Sequence, residues 1–351
     1  MNLLYTDIED DLRATVADLL RDRAAPATVL ARIESGADTA LWGELARMGA
    51  TSLHVSEALG GQGAGYRETA VVAEELGRSV APVPFLGSAV LATAVLTHLA
   101  DDPAARALLG RLARGETTAA LVVPLSSWEQ VPDGRGLVRS VADAAAADVL
   151  VVPVAGVVHL VDARDAVVTP VTSLDQTRPI ADVDITGAPT TPLAGPGDDA
   201  VRAALVAGAG ILASEQVGLA QWCLDTTVAY LKERHQFGRP VGSFQALKHR
   251  VADLWQSLVV ARAAARHAAD ALTTGVDVDI AVSVAKSLCS TVAVRAAEEC
   301  VQLHGGIGMT WEHPAHLYLK RAKADEIALG TPGRHRATLA PLVDLPLQST
   351  P

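Results

Sequence analysis

The hydrophobic period of this chain changes twice, and the order of those changes limits the fold more than any single motif. Up to about residue 115, apolar residues recur at helical spacing. Leu12, Val16, Leu19 and Leu20 follow the acidic start Asp7-Ile8-Glu9-Asp10, and further helices are predicted over 39–48, 68–76, 88–99 and 102–114. Gly77 and Gly115 stand where the third and fifth of these helices should stop. From 117 to about 185 the pattern becomes short β-branched runs at 121–123, 149–152, 157–161 and 167–168, separated by turn residues such as Pro132-Asp133-Gly134 and Gly156. The stretch 187–197, with three prolines and three glycines, reads as a linker. The helical period then returns over 201–233 (softened by glycines), 244–272, 279–303 and 314–328. An α+β chain, mostly α, is expected, with an N-terminal helical domain over 1–116, a small middle β domain over 117–197 and a C-terminal helical domain over 198–351.

Composition removes several function classes. With 351 residues, 50% hydrophobic and 20% charged, the chain can bury a large core and is not disordered. Its 29 cationic and 40 anionic side chains give a net charge of −11, and no Lys/Arg-rich run occurs, which argues against nucleic acid as a partner. The stretch 79–100 carries no Asp, Glu, Lys or Arg and is long enough to span a membrane. Pro82, Pro84 and Gly87 interrupt it, so a buried helix is expected instead, with no membrane contact. Cys223, Cys289 and Cys300 lack metal-ligand spacing and read as buried thiols of a reducing compartment. With no secretory pattern in the acidic start, a cytoplasmic location is expected.

No phosphate-loop, HExxH, GxSxG or EF-hand pattern is present. Gly60-Gly61-Gln62-Gly63-Ala64-Gly65 has Tyr66 where a dinucleotide fingerprint needs its third glycine, and reads as a loop between helices. His313-Pro314-Ala315-His316 offers two imidazoles without further ligands nearby and reads as a surface turn, not a metal site. Two segments are sharper. Arg234-His235-Gln236-Phe237-Gly238-Arg239-Pro240, then Ser243-Phe244-Gln245, is predicted to end one helix at Gly238 and open another after Ser243. A guanidinium beside free helix-start N–H groups suits a diphosphate. Gln302-Leu303-His304-Gly305-Gly306-Ile307-Gly308 follows a helix, and its glycines let backbone approach a ligand closely. Taken singly, each segment is equally a helix cap.

Together, and in this order, these segments resemble the acyl-CoA dehydrogenase family of flavoenzymes over nearly the whole chain. Ser56-Glu57-Ala58-Leu59-Gly60-Gly61-Gln62-Gly63 and Ala73-Glu74-Glu75-Leu76-Gly77 are similar to its N-terminal helical domain, and Asp175-Gln176-Thr177-Arg178 with Val183-Asp184 to the end of its central β domain. The Arg234 and Gln302 segments match its two C-terminal signatures. The resemblance implies a helical domain, a β domain and a C-terminal four-helix bundle. It implies α,β-dehydrogenation of an acyl-CoA thioester: a Glu carboxylate removes the α proton, hydride leaves Cβ for the FAD, and an electron-transfer flavoprotein takes the electrons. It also implies a tetramer, with FAD lying across a subunit interface. Arg234, Phe237, Gln302, Gly305 and Gly306 would then grip an FAD held mainly by a neighbouring subunit, and Thr331 would be a further cofactor residue.

The departures from that pattern are as informative. The family's Glu-Gly-Thr triplet is Leu329-Gly330-Thr331 here, and a flavin-binding glutamine two residues beyond the Thr is replaced by Gly333. Some members carry the Glu earlier, at the position of Gly208, which is also empty. The flavin-lining segment has its closest remnant in Val123-Pro124-Leu125-Ser126-Ser127. These losses point first to the short, base-lacking subunit of a heteromeric member, of the kind found in actinobacterial sterol breakdown, working beside a paralogous catalytic subunit. Two alternatives stay open: a self-sufficient homo-oligomer with an unconventional base, or a non-catalytic acyl-CoA- or FAD-binding homologue. The substitute base would be Glu215, whose carboxyl in the apolar run 211–217 would have a raised pKa; an interhelical ion pair is the other role for it. Asp325, one turn before Leu329, is a weaker candidate.

Overall fold

A computed structural model describes residues 3–33 and 38–344, so residues 1–2, 34–37 and 345–351 of the expected helical regions lie outside it. Helix α1 (Asp7–Arg23) begins at a capping box: Thr6 Oγ1 accepts the Glu9 N–H at 3.2 Å, and Glu9 Oε2 accepts the Thr6 N–H at 2.6 Å. Helix α2 (Pro26–Arg32), which periodicity does not signal, follows, and then α3 (Thr39–Arg47), capped by Asp38. Helix α4 (Tyr66–Ser79) runs past Gly77, correcting the expected stop.

The stretch Phe85–Ala92 is π-helical and leads into α5 (Thr93–His98). In the wider turn the Ser88 carbonyl accepts the Thr93 N–H and also the Thr93 hydroxyl, the latter at 2.8 Å. Every residue from Phe85 to Leu96 is buried inside the protein. Helix α6 (Pro103–Ala113) is capped by Asp102, whose other carboxylate oxygen accepts the Ala194 N–H at 2.9 Å and ties the helix to the end of the β region.

Seven strands then form two sheets. One has the order β1 (Ala119–Leu121), β3 (Val149–Val154), β4 (Val157–Asp162), β7 (Thr191–Pro192), with β1 and β3 parallel. The other has β2 (Leu137–Ala142), β6 (Ile180–Asp184) and β5 (Val167–Val171), all antiparallel. Ala120, Leu150, Val152 and Val161 point into a small core shared with Val138, Val141, Ala181 and Val183 of the second sheet. Their sequence neighbours Ala119, Leu121 and Val151 point the other way, into the large core under the helices. Strand β7 lies inside the stretch expected to be a linker.

Helix α7 (Gly197–Glu233) is one uninterrupted rod of 37 residues, about 55 Å long. Its glycines do not break it; they are where neighbours come close. Around it pack α8 (Gln245–Thr274), α9 (Val278–His304) and α10 (Ala315–Ile327), and α11 (Pro332–Leu342) packs on α9. Periodicity alone missed α11. Helices α7 and α9 are long and apolar enough to cross a bilayer, but 89% and 72% of their most apolar windows are buried in the protein, which accounts for that hydropathy as core.

Candidate functional site

Two places carry the sequence-predicted residues, one open and one closed. Arg234 follows the end of α7, and the chain reverses through β8 (His235–Gln236) and β9 (Arg239–Pro240). Phe237 (φ 56°) and Gly238 (φ 75°) form the turn of this hairpin, so Gly238 bends a β-turn and does not end a helix as expected. Phe237 is a bulky residue in the left-handed region and 88% exposed. Arg239 covers the Phe244 ring at 3.9 Å, fixing the base of the hairpin.

The second signature arrives at the same end of the bundle. Tyr230, one turn before Arg234, stacks on His304 at 4.5 Å, two residues after Gln302. Gly305 (φ 63°) closes α9, and a Cβ placed on Gly305 or Gly306 would touch nothing within 4 Å among the described residues. Arg234, Phe237, Gln302, Gly305 and Gly306 are all exposed. The open glycines, guanidinium and ring fit a ligand presented by another molecule.

The other place surrounds Leu329. A Cβ on Gly208 would meet Leu329 Cδ1 at 2.9 Å and Leu91 Cδ2 at 2.5 Å. The two positions at which the family resemblance puts a base therefore face each other, and leucines fill the space between them. Leu329 is fully buried with φ 51°, and its turn is pinned by its backbone, not by its side chain. The Leu329 N–H donates to Leu125 O at 2.7 Å, His335 Nε2 lies 2.8 Å from Leu329 O, and Lys286 Nζ donates to Gly330 O at 3.1 Å.

Leu125 also donates its N–H to Ser140 O at 3.0 Å. The remnant 123–127 thus bonds the β-sandwich on one side and the Leu329 turn on the other, closing the cleft between them. Trp128 wedges in behind, with its ring 4.1 Å from His335 and its Nε1–H donating to Thr338 Oγ1 at 3.1 Å. Thr331 spends its hydroxyl capping α11, where it accepts the Arg334 N–H. The buried Leu91, Leu329 and Trp128 side chains therefore occupy this place.

His335 is buried beside Trp128, and burial pulls its imidazole down to about 4. Its Nε2 faces a carbonyl, which assigns the proton to that nitrogen. Nitrogen NMR should find His335 still neutral at a pH of about 5.5, where an ordinary imidazole is charged.

Glu215 is not a free carboxylate. It accepts from Arg178 Nη2 at 2.5 Å and from Arg321 Nη1, both guanidiniums buried. Arg321 also holds Asp175 and, at 2.6 Å, Thr177 Oγ1. The expectation that Glu215 could serve as a base gives way to an ion-paired role, because two cations already occupy it. The Asp175-Gln176-Thr177-Arg178 motif is the β-domain half of this cluster. Sequence reasoning gave no hint of Arg321, Lys286 or Trp128. Among the described residues, no group of three His, Cys, Asp or Glu is placed to hold a metal ion.

Two family models match the chain: acyl-CoA dehydrogenase, N-terminal domain, over residues 6–116, and acyl-CoA dehydrogenase, C-terminal domain, over residues 195–342. The chain is 39% identical to acyl-CoA dehydrogenase IpdE2 of Mycobacterium tuberculosis, across 92% of each protein. It is similar in structure to a chain of the ChsE4-ChsE5 complex from Mycobacterium tuberculosis, with TM-score 0.88, 25% identity and coverage of 99% of this chain and 100% of that one. It is also similar to a chain of the Tcur3481-Tcur3483 steroid ACAD variant, with TM-score 0.84, 28% identity and coverage of 96% and 98%.

Proposed function

Because the chain belongs to the acyl-CoA dehydrogenase family, FAD-dependent oxidoreductases acting on CH–CH donors, we propose that it is the base-lacking subunit of a heteromeric member. In this reading its partner is a paralogous subunit that holds the FAD and carries the catalytic carboxylate. The observation behind the reading is the opposite state of its two sites. The outward set (Arg234, Phe237, Gln302, Gly305, Gly306) is exposed and open, whereas the cleft at Leu329 is packed shut. Lys286, at the closed cleft, and His304, at the open end, are eighteen residues apart on α9, about 27 Å. One chain therefore offers the two sets to different places. Similarity to chains of two named two-protein assemblies agrees with this reading.

FAD, when bound, accepts the hydride that leaves Cβ of the acyl thioester. This chain's contribution is to bind and orient. The Arg234 guanidinium neutralises the diphosphate, Gly305 and Gly306 admit it close to backbone, and the Phe237 ring covers apolar surface beside it. Removal of the α proton falls to the partner's carboxylate, since Leu329 and Gly208 accept no proton. The steroid ACAD neighbour favours a bulky, steroid-like acyl-CoA as substrate; an electron-transfer flavoprotein as acceptor and a tetrameric, cytoplasmic enzyme complete the proposal.

Purified alone, the chain should retain little FAD and show no acyl-CoA dehydrogenation, even as the Leu329→Glu variant, because the cleft stays shut. Co-purified with a base-bearing homologue it should give a yellow, active complex. Arg234→Ala in this chain should then lower the flavin retained by the complex by about tenfold, the value of a lost charge-assisted contact. Stoichiometric FAD and turnover from the lone chain would sink the proposal.

A further inference from the structure

Behind the Leu329 turn, side chains from the β-sandwich and the C-terminal helices, joined by a backbone N–H from the N-terminal part, meet in a buried cluster that the dehydrogenation reading leaves unused. The β-sandwich and the loops at its end supply Asp143, Asp175 and Arg178; α7 supplies Glu215, α9 Lys286, and α10 Arg321 and Asp325. Gly87, in the π-helical stretch, donates its N–H to Asp143 Oδ2 at 3.1 Å. All seven side chains are buried. Counted as charges, three cations face four carboxyl groups, so a neutral cluster must keep one proton.

The hydrogen bonds say which carboxyl keeps it. Asp175 accepts from Thr177 N, Thr177 Oγ1 and Arg321. Glu215 accepts from both guanidiniums, and Asp143 from Gly87. Neither carboxylate oxygen of Asp325 has a hydrogen-bond partner among the described residues; its nearest cation, Arg178 Nη1, stands off at 3.5 Å. A fully buried carboxylate without donors is costly, whereas a carboxylic acid there is not.

We propose that this cluster is a proton-operated latch: Asp325 carries a proton in the closed state, and its ionisation loosens α10 and the Leu329 turn from the β-sandwich. The link to the turn is Lys286, whose Nζ donates to Asp325 O at 2.9 Å and to Gly330 O at 3.1 Å. Ionising Asp325 leaves an unmatched negative charge facing Glu215 and Asp175 as well as Arg178 and Arg321, directly under the closed cleft. Burial pushes the Asp325 carboxyl up to about 7, against the pull of Arg178, and Asp143 up to about 6. It lowers the Lys286 ammonium to about 8, so the cluster loses cation as well as proton in alkali. The sign follows: an Asp titrates near about 4 when unfolded, so its folded-state stabilisation is complete below that and is lost as pH rises through about 7. The latch does not depend on which chain holds FAD.

Hydrogen–deuterium exchange of the full chain, corrected for the intrinsic pH effect, reads it directly. Protection of peptides spanning 321–331 should fall with pH, approaching tenfold per unit between about 4 and about 7 and levelling off above that. The fall should be much shallower in Asp325→Asn, while Asp143→Asn should keep most of it. An identical fall in Asp325→Asn, or none in the wild type, would overturn the latch. Infrared spectra of the wild type give a second reading that needs no variant. A protonated carboxyl C=O band should be present at a pH of about 6 and bleach through about 7; its absence at the lower pH would be equally fatal.

Discussion

Gly218→Ala should cost more stability than any other single methyl group added to this chain. At the crossing of α4 and α7, a Cβ on Gly218 would sit inside the Glu74 carbonyl oxygen and 3.0 Å from Arg78 N. Gly77 makes the reciprocal approach, where its Cβ would strike the Glu215 main-chain oxygen. These neighbours are backbone atoms of rigid helices, so no side-chain rotation relieves the clash. In an exposed helix the same substitution gains up to about 1 kcal/mol, because alanine is the better helix former. Here the helices must separate, at a cost of about 3 kcal/mol or more. Thermal melting of Gly218→Ala beside Gly275→Ala gives the comparison. Gly275 caps α8 with φ 75° and has nothing within 4 Å of its Cβ, so it should lose only the cost of a left-handed alanine, about 1–2 kcal/mol. A Gly218→Ala protein as stable as the wild type would mean that the two helices do not cross this closely.

Arg321→Met should be the second large loss, at about 3–5 kcal/mol, because it takes the paired cation from buried Asp175 and one of two guanidiniums from buried Glu215. The guanidinium reaches both carboxylates and the Thr177 hydroxyl at once, joining α10 to the β-sandwich and to α7. Arg21→Met also removes a guanidinium–carboxylate pair, Arg21 Nη2 to Asp18 Oδ1 at 2.5 Å, but one in which both side chains are exposed. Water replaces that partner, so the loss should stay within about 1 kcal/mol. Denaturant midpoints would separate the two. Adding Glu215→Gln to Arg321→Met should recover part of the loss, since the double variant leaves one stranded charge fewer. Equal midpoints for Arg321→Met and Arg21→Met would show that the buried cluster bears no special share of stability.

Both predictions concern interactions between distant parts of the chain, and there the sequence runs out. Local elements were legible where a local cause forms them. The Thr6 box starts α1, Asp102 caps α6, and the β-branched runs at 149–152 and 157–161 place β3 and β4. The outward set proposed to hold FAD could be picked out too, because Arg234-x-Gln-Phe-Gly and Gln302-x-x-Gly-Gly are compact motifs whose residues lie within one turn each. The missing base at Leu329 and Gly208 could be read as two absences.

Glycine shows where local reading failed. By propensity, Gly77 ends a helix and the glycines of 201–233 soften one, yet α4 and α7 run through them. A glycine that lets two backbones touch and one that stops a helix look alike in sequence, because the difference lies in a partner far along the chain. Glu215 failed in the same way. Its apolar neighbours predicted a carboxyl seeking a proton, and only folding brings Arg178 and Arg321 onto it.

The sequence by itself determined the order of helix, strand and helix, the family, and the loss of the proton acceptor, since these rest on residue identity and period. Only the tertiary structure decided that Gly208 and Leu329 face each other and that Leu125 and Trp128 close the cleft above them. It also decided that Asp325, and not Glu215, is a buried acid whose carboxyl oxygens find no hydrogen bond among the described residues. Each of those facts is a distance between residues far apart in the chain, which the packing of α7, α9 and α10 against the β-sandwich sets.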